Sequence, residues 1–349
     1  MYGPARCLRL PLLLLALLAA SCAPGRTPTS ATGEVALPPV LAAPVILGAD
    51  QLTPLPDGPS AFAAIADALR GARQSIDLEL YEFQRLDLAA MLLDAHDHGV
   101  AVTAIKDPAE RSSRSVWGEL EQAGVRVVAF PLERLTIDHV KLLIVDGVRA
   151  IVGGINWGTH SPLNHDFDVL ATGPVASNLE RVFQQDLALA GAPAVIPPPV
   201  SDRLVQVLVT HPGDGIRAAA LAAVAAARRT VDIEMFVLSD TLVIDGLVRA
   251  AHRGVQVRVL LDASQPQNAS SKAVLEAARA TVRFYAQSGD ELLHAKLGIF
   301  DGDTVLFGSC NWSRSGFTRN HELDLLIQDS SLARTFLSRM DEDWRVSAP

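Results

Sequence analysis

Apolar residues recur at helical spacing at Phe62, Ile65, Ala66 and Leu69, and again at Leu88, Met91, Leu92 and Ala95. That period is the one a helix needs to bury a single face. Between the two runs, Ile76-Asp77-Leu78-Glu79 alternates apolar and polar positions, and Gly99-Val100 opens a second alternating run that ends at Asp107; both predict strands. A third predicted strand runs from His139 to Val145, Asp146-Gly147 predicts a two-residue hairpin turn, and Val148 to Gly154 the returning strand. The expected order in this half is helix, strand, helix, strand, helix, hairpin and closing helix. Such alternation predicts an α/β layered domain with a largely parallel sheet.

The same pattern returns at a constant offset of 155 residues. Ile76-Asp77-Leu78-Glu79 becomes Val231-Asp232-Ile233-Glu234, the strand ending at Asp107 becomes one ending at Asp262, and Asn156-Trp157 becomes Asn311-Trp312. A fixed register over this distance marks an internal duplication. Pro193, Pro197, Pro198 and Pro199 crowd the join, where neither a helix interior nor a central strand tolerates them. At 349 residues the chain is long for one domain. The expected organisation is a domain over 46–192, a proline-rich linker over 193–200 and a second domain over 201–349, packed about a pseudo-two-fold axis.

Ahead of the first domain, Arg6 and Arg9 precede a short apolar run from Leu10 to Ala20, followed by Ser21 and Cys22. Eleven apolar residues are too few to cross a bilayer, so residues 1–22 read as an export signal. The segment resembles a bacterial lipoprotein signal, which implies acylation of Cys22 and anchoring at a membrane of the cell envelope. Ordinary cleavage to a secreted or periplasmic product is the alternative. Residues 23–45, rich in Pro, Ser, Thr and Ala, suit a flexible tether. Cys310 then stands without a partner for an intramolecular disulfide. A hydrophobic fraction of 49%, a charged fraction of 20% and a net charge of −9 exclude a disordered or membrane-embedded chain. With no basic run, nucleic acid is an unlikely partner.

Candidate chemistry sits on the repeat. His139-x-Lys141 returns as His294-x-Lys296, and two of the chain's four lysines lie in these tripeptides. On a strand, residues i and i+2 share a face about 7 Å apart, so each pair points one way. The hairpin brings Gly153-Gly154-Ile155-Asn156 back beside the first pair and Gly308-Ser309-Cys310-Asn311 beside the second. A phosphodiester site needs these types. Lysine and amide donors stabilise the phosphoryl oxygens, a neutral imidazole can attack phosphorus, and a second imidazole can protonate the leaving oxygen. Each histidine also needs a carboxylate on its other ring nitrogen. Asp166, 27 residues after His139, and Glu322, 28 after His294, occupy matched positions, with Asp168 and Asp324 as fallbacks. Asp146 and Asp301 read as turn residues. Asn156, Asn311 and Ser309 are candidate phosphate ligands. Glu79 and Glu234 line the site or face solvent with equal claim.

The two stretches HVKLLIVD…GGIN…NHD and HAKLGIFD…GSCN…NHE resemble the phospholipase D superfamily, whose motif is H-x-K-x4-D followed by a G-G/S-x-N stretch and an acid. The closest likeness is to bacterial phospholipase D-like and cardiolipin-synthase-like members, over about residues 50–345. The resemblance implies two α/β/α-layered domains with one shared site, complete in a monomer. It implies a covalent phosphohistidine and no metal or other cofactor. By the same analogy His139 is the nucleophile and His294 the acid. The expected activity is hydrolysis of phospholipid headgroups at a membrane surface. Transfer of the phosphatidyl group to a lipid hydroxyl, exported nuclease activity and a non-catalytic lipid-binding protein are the alternatives.

Overall fold

The computed structural model describes residues 41–347, apart from 134, 212 and 286–288. The leader, Cys22 and most of the tether lie outside the described residues.

The first half contains β1 (Val45–Leu47), β2 (Asp50–Leu55), α1 (Gly58–Gly71), β3 (Ser75–Leu80), α2 (Leu86–Asp97), β4 (Ala101–Lys106), α3 (Arg114–Gln122) and β5 (Arg126–Ala129). The hairpin strands β6 (Lys141–Val145) and β7 (Arg149–Gly153) follow, then β8 (Asp168–Thr172) and α4 (Pro174–Leu189). The second half repeats this plan. It runs β9 (Val205–Val209), α5 (Gly215–Ala226), β10 (Thr230–Met235), α6 (Thr241–His252), β11 (Gln256–Asp262), α7 (Asn268–Ala277) and β12 (Thr281–Tyr285). It closes with β13 (Lys296–Phe300), β14 (Thr304–Gly308), α8 (Arg314–Thr318), β15 (Leu323–Gln328) and α9 (Ser330–Val346).

The sheet orders are β1-β2-β8-β7-β6-β3-β4-β5 and β12-β11-β10-β13-β14-β15-β9. Element for element they match, apart from the extra edge strand β1. Only β3-β4-β5 and β10-β11-β12 pair in parallel, where helices make the crossovers. Among the described residues every other pairing between strands of the two sheets is antiparallel. The sheets are therefore mixed, not largely parallel, because a tight hairpin can join only antiparallel neighbours.

Alternation along β3 sends Ile76, Leu78 and Leu80 into the core beneath α1 and α2, and leaves Asp77 and Glu79 on the other face. That other face packs against the second half. One apolar cluster contains Leu142, Ile144 and Val169 from the first sheet, Leu297, Ile299 and Leu325 from the second, and Phe183 and Phe336 from α4 and α9. Phe336 lies edge-on to both Phe167 and Phe307, at 4.9 and 5.2 Å between ring centres. Burying an aromatic side chain of this size is worth roughly 1.5–3 kcal/mol, so the halves are held by a true core. The proline-rich join carries no helix or strand and runs along α4, where Arg181 donates to the Pro197 carbonyl and Asn178 pairs with Val200. Among the described residues, no helix is long and apolar enough to cross a membrane.

Candidate active site

Both hairpins turn through three residues instead of the expected two, because Val145 pairs with Arg149 and Phe300 with Thr304. Asp146 and Asp301 adopt positive φ, 55° and 52°. From there the Asp146 carboxylate accepts the backbone N–H groups of Arg73 (3.0 Å), Gln74 (2.6 Å) and Ser75 (3.1 Å). Asp301 takes those of Arg228 (3.0 Å), Arg229 (2.7 Å) and Thr230 (3.0 Å) in the same way. The motif aspartates thus fasten each hairpin to the start of the neighbouring strand, far from the chemistry. Burial is the largest single influence and raises both carboxyls, but the three hydrogen bonds together hold each below the usual range.

At the other end, His139 and His294 sit on extended segments just before β6 and β13. Asp107 accepts the N–H of Asp138, and Asp262 that of Leu293, so the residue before each histidine is tied to the end of a parallel strand. Both histidines are almost wholly buried. The edge of Tyr81 packs on His139 at 5.0 Å, and Phe236 lies against His294 at 4.9 Å. Lys141 and Lys296 each donate to the carbonyl of the histidine two residues earlier. The Lys296 ammonium also stands 2.8 and 2.9 Å from the ring nitrogens of His294.

The orienting carboxylates come from opposite halves. His139 donates from Nδ1 to Glu322 Oε2 (2.8 Å), and His294 from Nδ1 to both oxygens of Asp166 (3.1 and 3.0 Å). Both matched acids lie against a histidine, and each is paired with the histidine of the other half. Backbone bridges carry the exchange. His139 N–H donates to the His321 carbonyl (2.8 Å), His321 N–H to that of Ile137 (2.9 Å), and His165 N–H to that of Leu292 (2.9 Å). The stretches containing Asp166 and Glu322 thus cross the interface as short two-residue pairings, Asp138 with His321 and His165 with Leu293.

The two acids are not equivalent. Glu322 Oε2 also accepts the Ser309 hydroxyl (2.6 Å), and Oε1 accepts the Asn320 amide (2.9 Å). Ser309 in turn accepts Leu323 N–H (3.0 Å) and is fully buried. It is a support for Glu322, not a phosphate ligand, which corrects the expectation for this residue. In the first half Gly154 takes the serine's place, and a Cβ there would lie 2.5 Å from Asp166 Oδ1. The shorter acid sits closer to the strand and leaves no room for a side chain.

Asp168 and Asp324 do not orient the histidines. They accept the backbone N–H of Ile155 (3.3 Å) and Cys310 (3.0 Å), and so shape the loops that carry Asn156 and Asn311. Gly153 and Gly308 give them space, since a Cβ at either position would meet the aspartate oxygen at 2.3 or 2.4 Å. Asn311 Oδ1 accepts Val237 N–H (3.2 Å), and among the described residues Asn156 Oδ1 has no partner and no acceptor is paired with either side-chain NH2. Both donors are left for a ligand. Glu79 and Glu234 are not solvated, and Glu79 Oε1 lies 3.9 Å from His321 Nε2. They are fully buried beneath the interface. Trp157, Trp312 and Cys310 are buried in the cores.

Burial pushes His139 well down, and the charges of Lys141, Lys296 and His294 push it further. Two of those three charges belong to the second half, so the two motifs form one electrostatic centre. His294 is lowered by burial and lifted by Asp166. Burial, opposed by the carboxylates, brings Lys141 down to about 7 and Lys296 to about 8. Asp166 is held low by His294 and Lys296 against its own burial, while burial raises Glu322 to about 7.

A family model described as "Cardiolipin synthase, PLD-like domain" matches residues 65–187 and, again, 221–344. The chain belongs to this family of the phospholipase D superfamily. It is an enzyme of the phospholipase D type, with the duplicated fold that the motifs imply. Its relatives include a cardiolipin synthase A of Pseudomonas fluorescens, 29% identical over 354 residues that cover 91% of this chain and 74% of the relative. Another, from Pseudomonas putida, is 30% identical and covers 85% of this chain and 69% of its own length. A solved phosphatidylserine synthase from Haemophilus influenzae shares the fold, with a TM-score of 0.64 at 13% identity over 84% of this phospholipase D-like chain and 85% of that one.

Tyr81 and Phe236, His165 and His321, and the helix acids Asp186 and Asp343 all contribute to the centre or its support. The first pair obeys the 155-residue offset and was detectable as two aromatics following the opening strands. The histidines stand inside the NHD and NHE stretches. Thr210, whose hydroxyl accepts Glu322 N–H (2.9 Å), has no counterpart in the repeat and no signal in the sequence.

Proposed function

We propose that this enzyme transfers a phosphatidyl group from one phospholipid to the hydroxyl of another, as a cardiolipin-synthase-like phosphatidyltransferase. The observation that carries it is the alignment of 91% of the chain with a cardiolipin synthase, over a centre whose two histidines are both oriented for action at Nε2. With each Nδ1 held by a carboxylate, Nε2 is the nitrogen that meets substrate. His139 attacks phosphorus, the bond from phosphorus to the headgroup oxygen breaks, and His294 gives that oxygen its proton. In the second step His294 takes the proton of the acceptor hydroxyl. The acceptor oxygen bonds to phosphorus, and the electron pair of the breaking P–N bond returns to His139.

The assignment of roles is supported by the carboxylates. Asp166 gives both oxygens to His294 and partly offsets the burial that disfavours an imidazolium there, whereas Glu322 divides its charge among His139, Ser309 and Asn320. Lys141, Lys296, Asn156 and Asn311 hold the phosphoryl oxygens, for which the Lys296 ammonium leaves the imidazole of His294. Hydrolysis shares the first step and differs only in water as acceptor. An acyl group on Cys22 would hold the enzyme at the membrane that contains its substrate.

Incubating the purified chain with phosphatidylglycerol vesicles tests the proposal. Cardiolipin and free glycerol are expected, and both are lost in His139→Ala and His294→Ala. Phosphatidic acid in place of cardiolipin would make it a hydrolase, and no turnover of lipid would move the substrate to another phosphodiester. A phosphohistidine trapped on His294 would reverse the two roles.

A further inference from the structure

Behind the His139–Glu322 pair, Glu79 of β3, Asp138 and Asp186 of α4 meet His321, which comes from the second half. Glu79, Asp138 and His321 are wholly buried, and Asp186 nearly so. His321 Nε2 stands 3.0 Å from Asp186 Oδ2 and 3.9 Å from Glu79 Oε1. One donor atom each from Glu79, Asp138 and His321 falls within 4.8 Å of the others, a separation that one ion with bonds of about 2.0–2.4 Å can span. Among the described residues no protein N–H or O–H donor reaches either oxygen of Glu79 or Asp138 Oδ2, and His321 Nδ1 has no partner, although Glu79 and Asp138 are close enough to share a hydrogen bond through one proton.

The duplication provides an internal control. In the second half Glu234, His165 and Asp343 occupy the matching places, and Arg339 joins them. Its Nη2 lies 3.1 Å from Asp343 Oδ1 and 2.8 Å from His165 Nδ1. Leu293 stands where the first half has Asp138, by the 155-residue offset. One half therefore sets two carboxylates against a guanidinium and an imidazole. Among the described residues the other sets three carboxylates against the imidazole of His321, with the His211 ring 6.5 Å from it. Buried charge of one sign demands compensation.

We propose that Glu79, Asp138, Asp186 and His321 bind one divalent metal ion of the zinc class, which does for the first half what Arg339 does for the second. A set of one imidazole nitrogen and carboxylate oxygens suits zinc better than magnesium, which is held by one or two carboxylates and not by a cage of protein ligands. Three of the ligands come from one half and the fourth from the other. The ion therefore clamps the crossing at which His139 N–H meets the His321 carbonyl. It takes no part in phosphoryl transfer, and its presence does not depend on which phosphodiester the enzyme uses.

The test is metal analysis of the tag-free full chain, purified and then dialysed against zinc chloride and afterwards against metal-free buffer. About one zinc per chain is expected in the wild type, and less than a tenth of that in the Glu79→Gln/Asp138→Asn variant. X-ray absorption at the zinc edge of the wild type should give one nitrogen and two or three oxygens at about 2.0–2.2 Å. That measurement also decides the matter if the variant does not fold. A wild type that retains no zinc and melts at the same temperature with and without it would overturn the proposal and leave a shared proton as the compensating charge. Zinc bound equally by the variant, or through sulfur, would overturn it too.

Discussion

Glu322 stands 2.8 Å from Nδ1 of His139, a residue 183 positions earlier in the chain. The reciprocal pair joins Asp166 to His294 across 128 positions. Each motif is thus chemically incomplete without the opposite half. Glu322→Gln and Asp166→Asn keep shape and remove charge, so each is expected to lower kcat by about 10²–10⁴-fold with KM changed little. Steady-state kinetics on a soluble phosphatidyl substrate will show it. A loss confined to KM would mean that these acids bind substrate.

Ser309 separates two roles that its motif position confuses. If it served phosphate, Ser309→Ala would raise KM. Because its hydroxyl is spent on Glu322 and Leu323, the expected result is a fall in kcat of about 10-fold or more at nearly constant KM, as for the loss of a group that orients a functional side chain.

Gly154 carries the complementary prediction. Gly154→Ser places a Cβ 2.5 Å from Asp166 Oδ1 and 3.2 Å from the Gly308 carbonyl, so it should displace Asp166 and cost activity although the second half has serine there. Adding Asp166→Glu rebuilds the serine–glutamate pair of the second half and should recover part of the loss. Wild-type activity in the single variant would show that the strand yields without moving the acid.

Asp146 and Asp301, despite belonging to the motif, should behave as structural residues. Replacing either by Ala leaves three N–H groups without their acceptor and forces a non-glycine residue without a local hydrogen bond to hold positive φ. A loss of about 1–3 kcal/mol in unfolding free energy is expected, read from urea denaturation. Turnover per folded molecule should be unchanged.

The pH profile follows from the direction of the shifts. Both histidines lie below their ordinary 6.5, so the neutral nucleophile is available under mildly acid conditions. Lys141 and Lys296 lose their protons near 7 and near 8, and with them the positive charge that holds phosphate. For the free enzyme, kcat/KM should fall as pH rises, first below 6.5 as His294 loses the proton it gives to the leaving oxygen, and again in a second limb through 7 to 8. Lys296→Arg, which does not deprotonate in this range, should push that limb to higher pH while lowering the plateau. A kcat/KM still rising at pH 9 would contradict the lysine assignment.

Much of this was legible in the sequence because the duplication repeats each signal. The half-sites, the aspartates at the turns, the glycines and the two acids all stand in register at 155 or 156 residues. What sequence could not convey was direction across the interface. Asp166 lies 27 residues after His139, and only the interlocked backbone at His165 and His321 assigns it to His294. The mixed sheet escaped for a similar reason: helical crossovers announce parallel strands, whereas the return of β8 beside β7 depends on packing. Ser309 was misassigned because a hydroxyl beside a phosphate-binding loop points to phosphate until its burial and its two partners are seen.

The exchanged carboxylates also bear on when this chain can become reactive. A half that folds first holds a histidine whose Nδ1 has no acid and an acid that has no histidine. Full activation waits for docking, so the finished interface acts as a coincidence gate on the nucleophile. Any lesion that loosens the interface disarms both histidines together, and the enzyme fails in the safe direction.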